Sequence, residues 1–453
     1  MKRFIIEKLV EWKNSKYRKP LILKGARQIG KTYIIQEFCK NEFENYIYIN
    51  LMDNPQIVDL FEQTIPTEEK FTKMQWILNK NIDLEKTIIF FDEIQLSEKL
   101  ISNLKYFCES DKPFKIICAG SLLGVKINRF HSSFPVGKVK MEYMYPMDFE
   151  EYIRANGVQD STIELLKTCY SEHSEVPEVV HQTMLKLFYT YIVVGGMPAV
   201  VQIYVNTHDI GKVVALQREI LELYRLDIGK YAEGSDKIKI RAIFDSIPAQ
   251  LNSKNRRFIL NKIDDKGRMN RYENAFLWLS DAGVALPSYN IEEPQPPLRL
   301  NEKRNLFKLF MGDTGLLCAA CMENIQFALL NGNMEVNMGS ILENVFAQII
   351  KSNGFSLNYF ESKKYGELDF VIQNGMEVDL LEIKSGKDYK KHFALSKVSA
   401  VENWEFGRKI IFCSGNVEEE EGMEYLPWYL AMFYQVNKEP KEYKYEVDLS
   451  GLL

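Results

Sequence analysis

The eight residues Gly25-Ala26-Arg27-Gln28-Ile29-Gly30-Lys31-Thr32 constrain the fold of this chain more than any other stretch, because they satisfy GxxxxGK[ST] in full. Upstream, Pro20 to Leu23 is a short apolar run suited to a buried strand. Downstream, Tyr33 to Lys40 sets Ile34, Ile35 and Phe38 on one helical face. Strand, glycine loop and helix in that order make a phosphate cradle. Gly25 and Gly30 let the backbone curl so that successive amides point at phosphate oxygens, and the helix adds the positive end of its dipole. Lys31 places a charge on the β- and γ-phosphates, and Thr32 supplies a hydroxyl to Mg2+. Residues 25 to 32 are thus the expected nucleotide-binding set, with ATP and Mg2+ as ligands.

Such a loop calls for an acidic motif at the end of a second buried strand, and Thr87-Ile88-Ile89-Phe90-Phe91-Asp92-Glu93 provides it. Asp92 is expected to hold the magnesium through water, and Glu93 to orient and polarise the attacking water. Two adjacent acids favour the hydrolytic, additional-strand branch of P-loop folds, and Tyr46 to Asn50 reads as the extra strand. A helical stretch, Ser97 to Glu109, precedes a strand, Phe114 to Ala119, that ends in Gly120-Ser121. Ser121 is the candidate γ-phosphate sensor; the alternative is a turn that merely ends the strand. Arg129 is the first candidate for stabilising transition-state charge, ahead of Arg27 and Lys138, although a loop arginine is ordinarily just solvated. A small-molecule kinase fits the glycine loop alone and leaves the acid pair and the long C-terminal remainder unexplained.

The 453 residues are 46% hydrophobic and 26% charged, enough at roughly 150 residues per domain for about three units with their own cores. That excludes a disordered chain and a disulfide-stapled miniature. Lys plus Arg is 57 against 62 for Asp plus Glu, a net charge of -5, so no uniform basic field draws the molecule to nucleic acid or membrane. Seven scattered cysteines with a single CxxC, Cys318 to Cys321, and dispersed histidines argue for reduced thiols and a cytoplasmic setting. Leu187 to Val205 lacks charge, but Gly195, Gly196 and Pro198 interrupt it, so two short buried helices are expected there rather than a membrane span.

The chain divides into residues 1–150, a P-loop core; 151–230, a helical lid; 231–325, a winged-helix-like middle; and 326–453, a nuclease-like end. The lid shows helical apolar spacing over Thr162 to Tyr170, Met184 to Val194 and Lys212 to Asp227. In the middle region Lys254, Arg256, Arg257, Lys262, Lys266, Arg268 and Arg271 crowd one stretch. A helix, Tyr272 to Ala282, and a ribbon of Val284 to Tyr289 with Leu306 to Met311 follow. Such a unit either sets a basic patch against DNA or RNA phosphates or docks a protein, and a solvated charged face is the plainer reading.

From Gly339 the pattern predicts a helix carrying Glu343 and the strands Ser356 to Glu361, Leu368 to Ile372 and Val378 to Ile383. A helix over Lys390 to Val401 and a strand, Lys409 to Cys413, complete an αβββαβ order. Strand alternation puts Glu382 and Lys384 on one face. Asp369 and Glu382 are expected to converge on a second divalent metal, with Glu343 reaching in from the helix and Lys384 positioning the attacking water. The alternative is the same fold without cleavage. Glu418 to Glu421 reads as a solvated loop.

GARQIGKT, FFDEIQ, AGSLLG, FPVGKV, YPMDFEEY and GGMP together resemble the prokaryotic AAA-type ATP-binding proteins that carry a C-terminal domain of unknown function, over nearly the whole chain. The last segment resembles the PD-(D/E)xK nucleases, with Asp369, Glu382 and Lys384 on the motif positions and Leu368 where the proline stands. The resemblance implies an α/β protein of AAA+ type, in which a magnesium-dependent ATPase is coupled to a nuclease-like half facing nucleic acid. The competing expectation is a nucleotide-dependent switch or scaffold, oligomeric or not, that binds a protein partner and cuts nothing.

Overall fold

The fold comes from a computed structural model, which describes residues 1–16, 18–121, 134–231, 236–253, 256–265, 267–321, 330, 338–386, 388–436 and 446–447. Five parallel strands form the first sheet: β1 (Leu21–Lys24), β2 (Asn45–Asn50), β3 (Thr87–Asp92), β4 (Ile116–Gly120) and β5 (Lys140–Tyr143), in the order β2-β3-β4-β1-β5. Its central strands are apolar on both faces because both faces are covered. Leu21, Leu23, Phe90 and Ile117 face the helices Ile5–Asn14 and Lys31–Glu42. Ile22, Phe91, Ile116 and Cys118 face Pro55–Glu62, Thr67–Leu78 and Glu98–Glu109. Each of the fully buried Leu, Ile and Phe side chains among these stabilises the domain by roughly 1.5–3 kcal/mol relative to exposure.

The strand inserted between the glycine-loop strand β1 and the acid-bearing strand β3 is β4, not the segment around Tyr46 to Asn50, which lies at the sheet edge as β2. Hydropathy reveals that a strand exists, but its neighbours are chosen by the crossover path, which leaves no local trace.

Helices Phe149–Ala155, Asp160–Ser171, Glu178–Val194, Pro198–Thr207 and Ile210–Tyr231 follow the first sheet. The uncharged stretch is thus two helices around Gly195-Gly196, and among the described residues no helix is long and apolar enough to cross a membrane. Next come the helices Asp236–Leu251 and Glu273–Asp281 and the antiparallel pair β6 (Ala285–Ile291) and β7 (Glu302–Met311). The ribbon expected as a wing does not stand free. Its strand β6 pairs in parallel with β8 (Asn358–Ser362), so hydrogen bonds cross the 325/326 boundary drawn from the sequence. An unpaired strand edge is costly to expose, and β8 offers β6 a partner.

β8 pairs with β9 (Gly366–Leu368), which ends one residue before β10 (Phe370–Asn374). Asp369 is that break. Beyond it β10, β11 (Glu377–Ile383), β12 (Lys409–Cys413), β14 (Met423–Pro427) and β13 (Glu418–Glu420) form a five-stranded mixed sheet in that order. The acidic run expected as a loop is therefore partly the exposed edge strand β13, with Lys390 bound to Glu418 and Glu420 at 2.6 and 2.9 Å. The helix Met338–Ser352 covers one face of this sheet and the short helix Phe393–Ser399 the other.

Candidate functional site

At the end of β1 the chain turns through Gly25 (φ 152), Gln28 (φ 65) and Gly30 (φ 88) before entering the helix that starts at Lys31. Gly25 is required by packing as well as by conformation, since a Cβ there would lie 2.3 Å from the carbonyl oxygen of Met144. Lys31 is buried, and its Nζ donates to the carbonyl oxygens of Gly25 and Ala26 at 3.0 and 2.6 Å. Burial lowers its pKa to about 8, against the opposing pull of Glu93 and Asp92. The Thr32 hydroxyl donates to Asp92 Oδ2 at 2.7 Å, and Tyr48 donates to the same oxygen at 3.2 Å. These contacts put the hydroxyl and carboxylate expected to serve one cation within a single hydrogen bond, although the residues are 60 positions apart.

Glu93 follows Asp92 at the tip of β3 in a left-handed conformation, φ 55, and accepts a hydrogen bond from the buried Gln95 amide. Ser121 stands at the neighbouring tip, directly after β4, and is half-buried. The insertion of β4 beside β1 and β3 therefore brings Lys31, Thr32, Asp92, Glu93 and Ser121 to one edge of the sheet. Arg129 lies outside the described residues. The lesser finger candidates are engaged elsewhere: Lys138 pairs with Glu109 at 2.8 Å, and Arg27 pairs with Asp227 on the helix Ile210–Tyr231.

Sequence reasoning missed the residues that bind this loop to the rest of the molecule. Tyr224 donates to the Arg27 carbonyl at 3.0 Å, one turn from Asp227. The GGMP turn is held from two sides. A Cβ on Gly196 would lie 2.1 Å from the Met147 carbonyl oxygen, and one on Gly195 would lie 2.4 Å from Asp313 Oδ1. Asp313 accepts from the Gly196 amide at 2.6 Å and from the Leu316 amide at 3.0 Å. Burial raises its pKa to about 6, partly offset by these backbone donors. The adjoining helix Met338–Ser352 contributes Asn344 and Gln348, which bind Met311 and Thr314. The signal for this clamp was the paired glycine itself, a demand for close approach with no partner named.

In the C-terminal sheet Asp369 accepts from the Ile383 amide at 2.8 Å, and Lys384 Nζ lies 2.5 Å from Glu382 Oε1. Burial raises the pKa of Glu382, Lys384 opposes that, and Asp369 adds to it, which places the two acids within electrostatic reach. Glu343 does not join them. Glu382 is in register with Ile411, whose side chain packs with Leu395 and Val398, whereas Leu381 and Ile383 pack with the helix bearing Glu343. The sheet separates them. Glu343 is instead neutralised by Lys308 at 3.1 Å and by Arg256, and Lys308 also meets Glu367 at 2.5 Å. Among the described residues no group of three or more His, Cys, Asp or Glu is placed to hold a metal ion.

The basic stretch is likewise partly consumed. Arg256 goes to Glu343 and Arg257 to Glu361, with Nε 2.6 Å from Oε2. Lys262, Arg268 and Arg271 are exposed, while Lys254 and Lys266 lie outside the described residues. All seven cysteines are free thiols, so Cys318 and Cys321 form no disulfide.

Residues 17–153 match a family described as an AAA domain. Residues 185–326 and 338–431 match two domains of unknown function, DUF8612 and DUF4143. No curated protein matches the chain. Among solved structures it is similar to the Walker-type ATPase PABY2304 of Pyrococcus abyssi, with 18% identity over 70% of this chain and 94% of that one and a TM-score of 0.41. It is also similar to the Aeropyrum pernix ORC1 protein in complex with DNA, with 13% identity over 72% and 92% and a TM-score of 0.29. A third is the Thermotoga maritima RuvB Holliday junction branch migration motor, with 12% identity over 63% and 89% and a TM-score of 0.28. Residues 17–153 are an AAA-type, ATP-binding P-loop domain.

Proposed function

We propose that the chain is a magnesium-dependent ATPase whose nucleotide state is transmitted to its C-terminal half. The observation that carries this is the 2.7 Å contact from Thr32 to Asp92, with Glu93 next in sequence and Ser121 on the neighbouring strand tip. Bound Mg2+ and ATP supply the γ-phosphoryl group and a counter-charge. Around them Lys31 gives up its loop carbonyls for phosphate oxygens, Thr32 and Asp92 hold the cation side, and Ser121 bonds the γ-phosphate. Glu93 exchanges its Gln95 partner for the attacking water and orients it. The Glu93→Gln variant is expected to keep ATP binding and lose at least about a hundredfold in turnover. Normal turnover in that variant overturns the assignment.

Transmission runs through Arg27 to Asp227 and through the GGMP turn to Asp313, both of which connect the loop region to later elements. For the C-terminal half the nuclease-like reading assigns Asp369 and Glu382 to a second divalent cation and Lys384 to the water or phosphate, with DNA or RNA as partner. A second reading, a nucleotide-dependent switch that binds a partner without cutting, is favoured by two observations: Glu382 is paired with Lys384, and Glu343 is on the other face of the sheet. Plasmid and linear DNA with magnesium or manganese distinguish them. Cleavage lost in Asp369→Ala and Lys384→Ala but kept in Lys31→Ala supports the nuclease. Absence of cleavage and of salt-sensitive binding supports the switch.

A further inference from the structure

Behind the glycine loop lies a cavity of about 420 Å³, bounded by the end of β1, the segment after β5, the end of the helix Glu273–Asp281, β6, and the last turn of the helix Met338–Ser352. It shares Gly25 and Ala26 with the loop, but none of Lys31, Thr32, Asp92 or Glu93 lines it, so the side chains assigned to phosphate and metal above lie outside it. Its volume is that of a small-molecule site.

Two lysines approach the cavity from opposite parts of the molecule, Lys24 from β1 and Lys351 from the C-terminal helix. Burial disfavours the charged form of both, and each pKa is lowered for that reason. Lys24 lies over the Tyr143 ring, 5.6 Å from its centre, with Asp281 as an electrostatic neighbour. For Lys351 burial alone accounts for the shift. A desolvated ammonium is costly, and an anion beside it lowers that cost. The remaining walls are of two further kinds. Tyr145 and Tyr289 offer aromatic surface, and Asp281 and Glu302 offer carboxylates able to accept from hydroxyl or amino groups.

From this combination we propose that the cavity between the P-loop domain and the sheet built on β6 is a second ligand site, for a small anion that carries an unsaturated ring and hydroxyl donors, the chemistry of a nucleoside monophosphate. Its anionic end meets Lys24 and Lys351, and its ring and sugar meet the tyrosines and carboxylates. Gly25 and Ala26 form part of the wall, and Gly283 across it is pressed against the loop, since a Cβ there would lie 3.1 Å from the Ala26 amide nitrogen. Occupation therefore bears on the back of the loop that holds ATP. Such a ligand would report the supply of nucleotides to the ATPase.

The test uses the full chain saturated with ADP and Mg2+, and the ADP titration itself reports separately on the P-loop. AMP, GMP, CMP and UMP are then titrated in by calorimetry. At least one is expected to bind saturably at one per chain, with affinity falling at least tenfold in Lys351→Met and recovering in Lys351→Arg, while ADP binding is unchanged in both. Pro287→Trp, which fills the cavity from a half-buried position, is expected to abolish monophosphate binding, so the proposal stays testable if Lys351→Met does not fold. The proposal is overturned if no monophosphate binds the ADP-loaded chain, if binding survives Lys351→Met and Pro287→Trp, or if ADP displaces the monophosphate.

Discussion

Lys31 shows how a single residue ties the nucleotide to acid–base behaviour. Its folded pKa, about 8, lies below the ordinary 10.5 because burial penalises the ammonium. Between those values the unfolded chain binds more protons than the native one, so this group makes stability rise with pH across that window. Phosphate beside the ammonium favours the charged form again. ATP binding at a pH of about 8.5 is therefore expected to take up a proton, read as a dependence of the binding enthalpy on the ionisation enthalpy of the buffer. If Lys31→Met shows the same dependence, the proton goes elsewhere. Glu343 is the opposite case, a residue whose chemistry suggested a metal and whose surroundings give it a different task. Glu343→Gln leaves the fully buried Lys308 with Glu367 alone, and denaturant unfolding is expected to show a loss of about 3 kcal/mol. A loss within about 0.5 kcal/mol, typical of surface substitutions, would mean that Glu367 suffices.

At the scale of elements, alternation decides most outcomes. The period of two that puts Glu382 and Lys384 together also puts them on the face away from the helix Met338–Ser352, so a helix read correctly cannot deliver Glu343 to them. The turn between Glu178–Val194 and Pro198–Thr207 is equally specific, for a different reason. Pro198 begins the second helix and approaches the Cβ position of Gly30 at 3.8 Å, while Gly196 lies against Met147. Gly196→Ala meets rigid backbone at 2.1 Å and is expected to destabilise the chain by about 1–3 kcal/mol and to weaken ATP binding. Gly157→Ala is the control. Unlike Gly196 it has a positive φ, but a Cβ there meets nothing within 4 Å, so it should lose only the strain of about 1 kcal/mol and leave ATP binding alone. Equal effects on nucleotide affinity would show that the turn is not a link.

For the whole molecule, one apolar core runs from Ile5 in the first helix to Tyr434 near the end of the described chain. The P-loop domain, the helical layer and the C-terminal sheet are packed as one body, joined by β6 on β8 and by Asp313 under the GGMP turn. A fragment of residues 326–453 leaves the edge of β8 unpaired and strips the helix Met338–Ser352 of the layer that buries Phe346 and Ile349. It is expected to aggregate or to melt without a cooperative transition when followed by circular dichroism. A sharp, reversible transition in that fragment would show that the nuclease-like end is an autonomous domain after all.

Sequence alone determined what depends on neighbours along the chain: the glycine loop between strand and helix, the acid pair closing a buried strand, the interrupted apolar run, and the helix that carries Glu343. Those features are local because backbone conformation and side-chain period are local. Leu368 to Ile372, expected as one strand, is instead split at Asp369 between two sheets, and two further strands follow β12. Tertiary structure decided which strand stands between β1 and β3, which face Glu343 occupies, and that the middle ribbon pairs with β8. It also supplied the partners of the loop, since Asp227 is 200 positions from Arg27 and Asp313 is 117 from Gly196. Paired glycines state that something approaches closely, but which carboxylate it is depends on the path of the chain through space, and no periodicity encodes that path.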